Sequence, residues 1–150
     1  MHINGIELII IYFISFVMNH GMSKIRYVEC TSSLIRALVL FKKLFPSHGK
    51  KEIETFLSKA VKYLEGMQEE DGSWNGNWGK CYATYFAIKG LVATRNTYQN
   101  SSTLRRGVEF LLKIQSPDGG WGESHISCTQ KKYNPLFHGI LPILFKLPLL

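Results

Sequence analysis

The stretch "KAVKYLEGMQEEDGSW" occupies residues Lys59–Trp74 and "RGVEFLLKIQSPDGGW" occupies Arg106–Trp121, so the second begins 47 residues after the first. In one register the two share Val61 and Val108, Leu64 and Leu111, Gln68 and Gln115, Asp71 and Asp118, Gly72 and Gly119, and Trp74 and Trp121. A recurrence at this period marks a repeat architecture, in which each unit has an apolar face that only a stacked neighbour can cover. The shared register argues against two unrelated helical hairpins that merely happen to carry a Gln and a Trp.

Helical periodicity extends outward from these two stretches. Leu34, Ile35, Leu38 and Phe41 predict a helix from Thr31 to Phe45, with Thr31 or Ser32 as N-cap and Pro46 as the stop. Ile53, Phe56, Leu57, Ala60, Val61 and Leu64 form a wide stripe on a second helix, from about Glu52 to Gln68. The turn formers in "EEDGSWNGNWG" end it, and a third helix is expected from Tyr82 to about Ala93. After the polar loop "TRNTYQNSS", Ser101 or Ser102 can cap a fourth helix running to Lys113, which the turn "SPDGGWGES" closes. The fold class is all-α, built from helical hairpins joined by Gly-Trp turns. In each copy the Gln amide is expected to tie off backbone groups at helix termini, with the indole stacked over it as a rigid clamp.

A length of 150 residues with 45% apolar residues suffices for one core. The net charge of +7 is scattered over helix faces, and Lys42, Lys43, Lys50 and Lys51 read as a solvated turn, so nucleic acid is not an expected partner. Cys30, Cys81 and Cys128 cannot all pair and show no metal-ligand spacing, which points to free thiols and a reducing compartment. The five histidines are unclustered. The apolar stretch Ile6–Met18 is shorter than the roughly 20 residues that span a bilayer, and it carries Glu7 with no basic run ahead of it. The equally apolar Phe137–Leu150 contains two prolines, which oppose a continuous helix.

The order of basic residue, small residue, aromatic, aliphatic, Gln and then Gly-x-Trp resembles the QW repeat of squalene and oxidosqualene cyclases. The stretches "YVECTSSLIRALVLFKKLFPSHGKKEIETFL", "DGSWNGNWG" and "FLLKIQSPDGGWGES" are similar to consecutive parts of the C-terminal half of plant oxidosqualene cyclases, over roughly Tyr27 to Leu136. The resemblance implies a partial α/α barrel of the squalene-cyclase and prenyltransferase type, at residues 27–136, with repeats near 52–95 and 102–136. Residues 1–26 and 137–150 do not look like the family. They are expected to come from reading through gene segments that are normally removed or broken, which makes the chain a fragment.

Members of that family protonate 2,3-oxidosqualene and fold the resulting cation into sterols or triterpenes, an isomerase chemistry that needs no cofactor. They sit on one leaflet of a membrane, which implies the cytosolic face of the endoplasmic reticulum or of a lipid droplet. By the resemblance Cys30, in "YVECT", supports the catalytic acid through a thiol hydrogen bond, and Trp78, in "GNWG", faces the developing carbocation. Tyr82, Tyr85 and Phe86 add aromatic surface to the substrate cavity, while Gln68, Trp74, Gln115 and Trp121 form the repeat clamp. The plainer readings make Cys30 a small buried cysteine at a helix start and Trp78 a plug for its turn.

Two departures bear on activity. "WGKCYATYF" is two residues shorter between Cys81 and Tyr82 than the family pattern, which turns one side by about 200° unless a loop absorbs the loss. The Asp-Cys-Thr-Ala-Glu motif that carries the family's acid is not in the sequence, so the chain alone is expected to be inactive. A different class of function is a non-catalytic helical repeat module that binds a lipid or a partner chain. A third is the β-subunit of a protein prenyltransferase, whose zinc ligands the sequence does not supply.

Overall fold

A computed structural model describes residues 27–135. The apolar segments Ile6–Met18 and Phe137–Leu150, with the readings attached to them, lie outside the described residues. The elements are α1 (Val28–Leu44), α2 (Lys50–Gly66), α3 (Lys80–Ala93), α4 (Ser102–Lys113) and the short α5 (Ile126–Gln130).

Two helices start earlier than the sequence pattern predicts. α1 begins at Val28 because Val28 is buried in the core, and Thr31 and Ser32 lie inside the helix rather than at its cap. Thr31 Oγ1 donates back to the Tyr27 carbonyl at 3.1 Å. The helix ends at Leu44, two residues before Pro46. α3 begins at Lys80, ahead of the expected Tyr82, so Cys81 and Tyr82 are consecutive residues of one helix and no loop absorbs the short spacing there. At α4 the sequence and the packing agree: Ser101 Oγ accepts the Leu104 N–H at 3.2 Å as an N-cap.

α1 packs chiefly on α3 and also on α2, and α4 packs on the other side of α3. The α1–α3 approach is close enough that a Cβ at Gly90 would lie 3.1 Å from Ser32 Cα. One core cluster joins Leu34, Ile35, Leu38 and Phe41 to Ile53, Phe56, Ala60 and Leu64, and takes in Ala83, Ala87 and Leu91 from α3. A second joins Cys81 and Ile88 to Phe110, Leu111 and Trp121. α3 contributes to both, and for that reason its sequence is apolar almost all round.

The repeat clamp divides its labour differently from the expected arrangement. The indole, rather than the glutamine, closes the helix end: Trp74 Nε1 donates at 2.7 Å to the Leu64 carbonyl in the last turn of α2. Trp121 Nε1 repeats this bond at 2.7 Å to the Leu111 carbonyl of α4. Gln68 Nε2 closes its own turn on the Gly72 carbonyl at 2.9 Å and reaches across to the Thr103 carbonyl of α4 at 2.8 Å. Gln115 Nε2 makes the matching turn bond to the Gly119 carbonyl at 2.8 Å. Asp71 and Asp118 each accept the N–H two residues on, from Ser73 and Gly120. Gly72 and Gly119 adopt φ of 85° and 82°, the left-handed region that favours glycine.

Trp74 is wholly buried, and Gly107 of α4 makes room for it: a Cβ there would lie 2.8 Å from Trp74 Cζ3. Gly107→Val is therefore expected to destabilise the chain by about 2 kcal/mol in urea unfolding. Gly66→Ala, at a helical glycine with open space around it, is expected to stabilise it by about 0.5 kcal/mol. Gln68→Ala, which removes the bond between repeats as well as the turn bond, is expected to lower stability by about 1 kcal/mol more than Gln115→Ala. Equal losses from the two glutamine variants would show that the Thr103 bond contributes nothing.

Candidate functional site

The clamp hands the chain from Trp74 to α3 through the five residues 75–79, and this loop carries Trp78. Two carboxylates hold the loop and the helix start behind it. From one side Glu29, in the first turn of α1, accepts the Asn77 N–H at 2.8 Å and the Trp78 N–H at 3.4 Å on Oε1. Glu29 is 8% exposed, and its Oε2 is buried with no hydrogen-bond partner among the described residues. Gly76 has to lack a side chain here, because a Cβ would overlap Glu29 Oε1.

From the other side Glu123 Oε1 accepts the Lys80 N–H at 2.9 Å and Oε2 accepts the Cys81 N–H at 2.7 Å. These are two of the N–H groups that the first turn of α3 cannot satisfy itself, and a negative charge is favoured at that end of a helix. Gly79, at φ 107°, brings the backbone so near that a Cβ would lie 2.6 Å from Glu123 Oε2. The segment that carries Glu123 is folded back on itself by bonds from Tyr133 Oη to the Gly122 carbonyl, from Ser124 N to the Asn134 carbonyl, and from Asn134 N to Ser127 Oγ. Lys131 Nζ, beyond α5, donates to the Gly76 carbonyl at 3.0 Å.

The electrostatics separate the thiols. Burial pushes the Cys81 thiol up to about 12, and the Glu123 carboxylate adds to the rise. Burial likewise raises the Glu123 carboxyl above its ordinary value, against the lowering pull of the Cys81 and Lys80 N–H groups. At Asp71 burial works upward too, but hydrogen bonds from Ser73 and Lys80 outweigh it and hold the carboxyl low. The Lys80–Asp71 ion pair, at 3.0 Å, ties the start of α3 back to the clamp turn.

Cys30 is exposed, not the small buried cysteine of the plainer reading. It heads an exposed stripe of α1 that continues through Ser33, Ala37, Leu40 and Leu44. Trp78 does not plug its turn: it is 68% exposed. Tyr82, Tyr85 and Phe86 are half-buried and gathered on one face of α3, with ring centroids 4.7 Å apart for Tyr82–Phe86 and 5.7 Å for Tyr85–Phe86. Lys89 Nζ stands 5.9 Å from the Tyr85 centroid, within cation–π range. The link between Cys30 and Trp78 runs through Glu29, the neighbour of one and the hydrogen-bond acceptor of the other's backbone.

Glu29 and Glu123 escape a reading based on the two matched stretches alone. The missing signal is that Tyr27 stands 47 residues before Trp74, so Glu29, Gly76 and Glu123 occupy one position in three successive units. Among the described residues no three His, Cys, Asp or Glu side chains gather as a metal site. The chemistry on offer is an exposed thiol, an exposed indole and an aromatic surface.

Residues 27–137 match the family model described as the squalene-hopene cyclase C-terminal domain. The chain is 46% identical over 111 residues to the alpha-onocerin synthase of Lycopodium clavatum, covering 73% of this chain and 14% of that protein. It is 46% identical over 109 residues to a lanosterol synthase of Aspergillus fumigatus, covering 71% and 14%. Human lanosterol synthase is 39% identical over 112 residues, covering 71% and 15%. The likeness therefore reaches fungi and animals and is not confined to plants. A match that spans the clamp, both carboxylates and the aromatic face places the chain among the cyclases rather than the prenyltransferases: it belongs to the squalene-hopene cyclase C-terminal domain family.

Proposed function

We propose that this chain is the part of an oxidosqualene cyclase that supplies a thiol and an aromatic surface to the cavity in which 2,3-oxidosqualene is cyclised. The observation that carries this reading is the exposure of Cys30 and Trp78 on a framework that otherwise buries its cysteine at 81 and its other two tryptophans. An exposed indole is unfavourable in water, yet over a migrating carbocation it contributes about 2 kcal/mol once desolvated. A thiol that donates to a carboxylate favours its ionised form, which strengthens the parent acid. The acid itself comes from outside the 150 residues, and so does the rest of the barrel that keeps water from the cation. The substrate is an apolar lipid, which favours a membrane-bound location on the cytosolic face of the endoplasmic reticulum or of a lipid droplet.

Incubated with 2,3-oxidosqualene, the 150-residue chain is expected to give no sterol or triterpene by gas chromatography and mass spectrometry. Any cyclised product would overturn the division of labour proposed here. A lanosterol synthase whose matching segment is replaced by residues 27–137 is expected to form cyclised products, with Trp78→Ala lowering their rate about 30-fold, the equivalent of about 2 kcal/mol. An unchanged rate in that variant would remove Trp78 from cation stabilisation.

Thiol labelling provides a test on the chain itself. Cys30 is expected to react with a maleimide at pH 8 in the folded chain. Cys81, with on the order of one molecule in ten thousand as thiolate, is expected to react only after unfolding. Equal reactivity of the two would contradict the placement of Cys30 at an open face.

A further inference from the structure

We infer that Glu29 is a positioning residue for Trp78, and that Glu123 fixes the far end of the same loop, so that the two carboxylates together set where the indole stands relative to Cys30. This rests on the reading of Trp78 given under the proposed function, and it adds two residues from other repeats to that role.

The geometry is specific to the loop that carries the indole. Glu29 Oε1 takes both the Asn77 and Trp78 N–H groups, while the neighbouring Gly76 carbonyl is held by Lys131 Nζ at 3.0 Å. Glu123 takes the next free pair, at Lys80 and Cys81. Between Gly76 and Cys81 the backbone is therefore pinned on both sides of Trp78. The glycines at 76 and 79 are what allow the carboxylates so near the chain.

These bonds satisfy backbone N–H groups, and at Trp78 they do more than that. Trp74 and Trp121 are fixed by bonds from their own indole N–H to helix carbonyls. The ring of Trp78 is mostly in solvent, so the backbone beneath it, held at Glu29 through the Asn77 and Trp78 N–H groups, bears directly on its direction. The Asn77 N–H bond to this carboxylate, at 2.8 Å, is a charge-assisted contact, stronger than a neutral one, and the Trp78 N–H bond, at 3.4 Å, is the longer and weaker of the two. Glu29 adjoins Cys30 in α1, so the same side chain that orients the loop also gives it a fixed register against the thiol.

The test reads Trp78 alone, in the 150-residue chain and without substrate. Time-resolved fluorescence anisotropy is recorded for the chain and for Trp78→Phe, and the difference isolates the Trp78 contribution from the two buried indoles. In Glu29→Ala the amplitude of fast local rotation of Trp78 is expected to rise at least twofold, while the Trp74 and Trp121 signals stay as they are. Glu29→Gln, which keeps an acceptor oxygen in place, is expected to restore most of the lost rigidity. Glu29→Asp, one methylene shorter, is expected to fall between them, and it provides the reading should the alanine variant fail to fold. A folded Glu29→Ala or Glu29→Asp chain with unchanged Trp78 rotation overturns the proposal. Because no cyclisation is measured, this result is independent of whether Trp78 stabilises a cation: an immobile Trp78 whose removal leaves the hybrid synthase at full rate would sink the functional reading and leave the positioning role intact.

Discussion

A helix that ends inside a protein leaves carbonyl groups without partners, and in this chain an indole N–H supplies the missing donor twice, at Leu64 and at Leu111. The rest of the structure depends on that bond. Satisfying the carbonyl draws a large flat ring back over the end of its own helix, and the ring then fills the space between that helix and the next. Gly107 is small because the Trp74 ring lies against it. The glutamine, freed from capping the helix end, spans the gap to α4 instead.

The same economy governs the loop after Trp74. Its N–H groups lie where no helix or strand can pair them, and an unpaired buried donor is costly. Glu29 of the preceding unit accepts two of them and Glu123 of the following unit accepts the first two of the helix behind, so the loop is finished by its neighbours as well as by its own residues. Trp78 is exposed on a loop whose backbone is nevertheless held. That combination suits a group whose ring must meet a ligand in a defined direction.

Much of this was legible in the sequence, for reasons that particular residues make clear. The stripe Ile53, Phe56, Ala60 and Leu64 is buried as its spacing requires, and Ser101 caps α4 as its chemistry requires. α1 starts ahead of Thr31 and Ser32 because Val28 joins the core, and no local rule weighs that burial against the capping preference of the two hydroxyls. α3 starts ahead of Tyr82 because Glu123, 43 residues further on, caps it, and that partner is invisible to a local pattern. At the site, Cys30 and Trp78 were singled out by a resemblance and their exposure is a finding of the structure, whereas the carboxylate that connects them needed a third repeat to be seen in Tyr27.

The alternation at that shared position, Glu29 then Gly76 then Glu123, has a consequence for how such a chain can change over time. A glutamate at 76 would have to occupy the space that Glu29 already fills, so two adjacent units cannot both carry the long acidic side chain in this arrangement. The units therefore have a parity. Duplicating one, deleting one or exchanging neighbours would set acid against acid or leave a loop with no acceptor, even though each unit would still match its own pattern. The repeats share one register, but at this position neighbouring units are not sterically interchangeable.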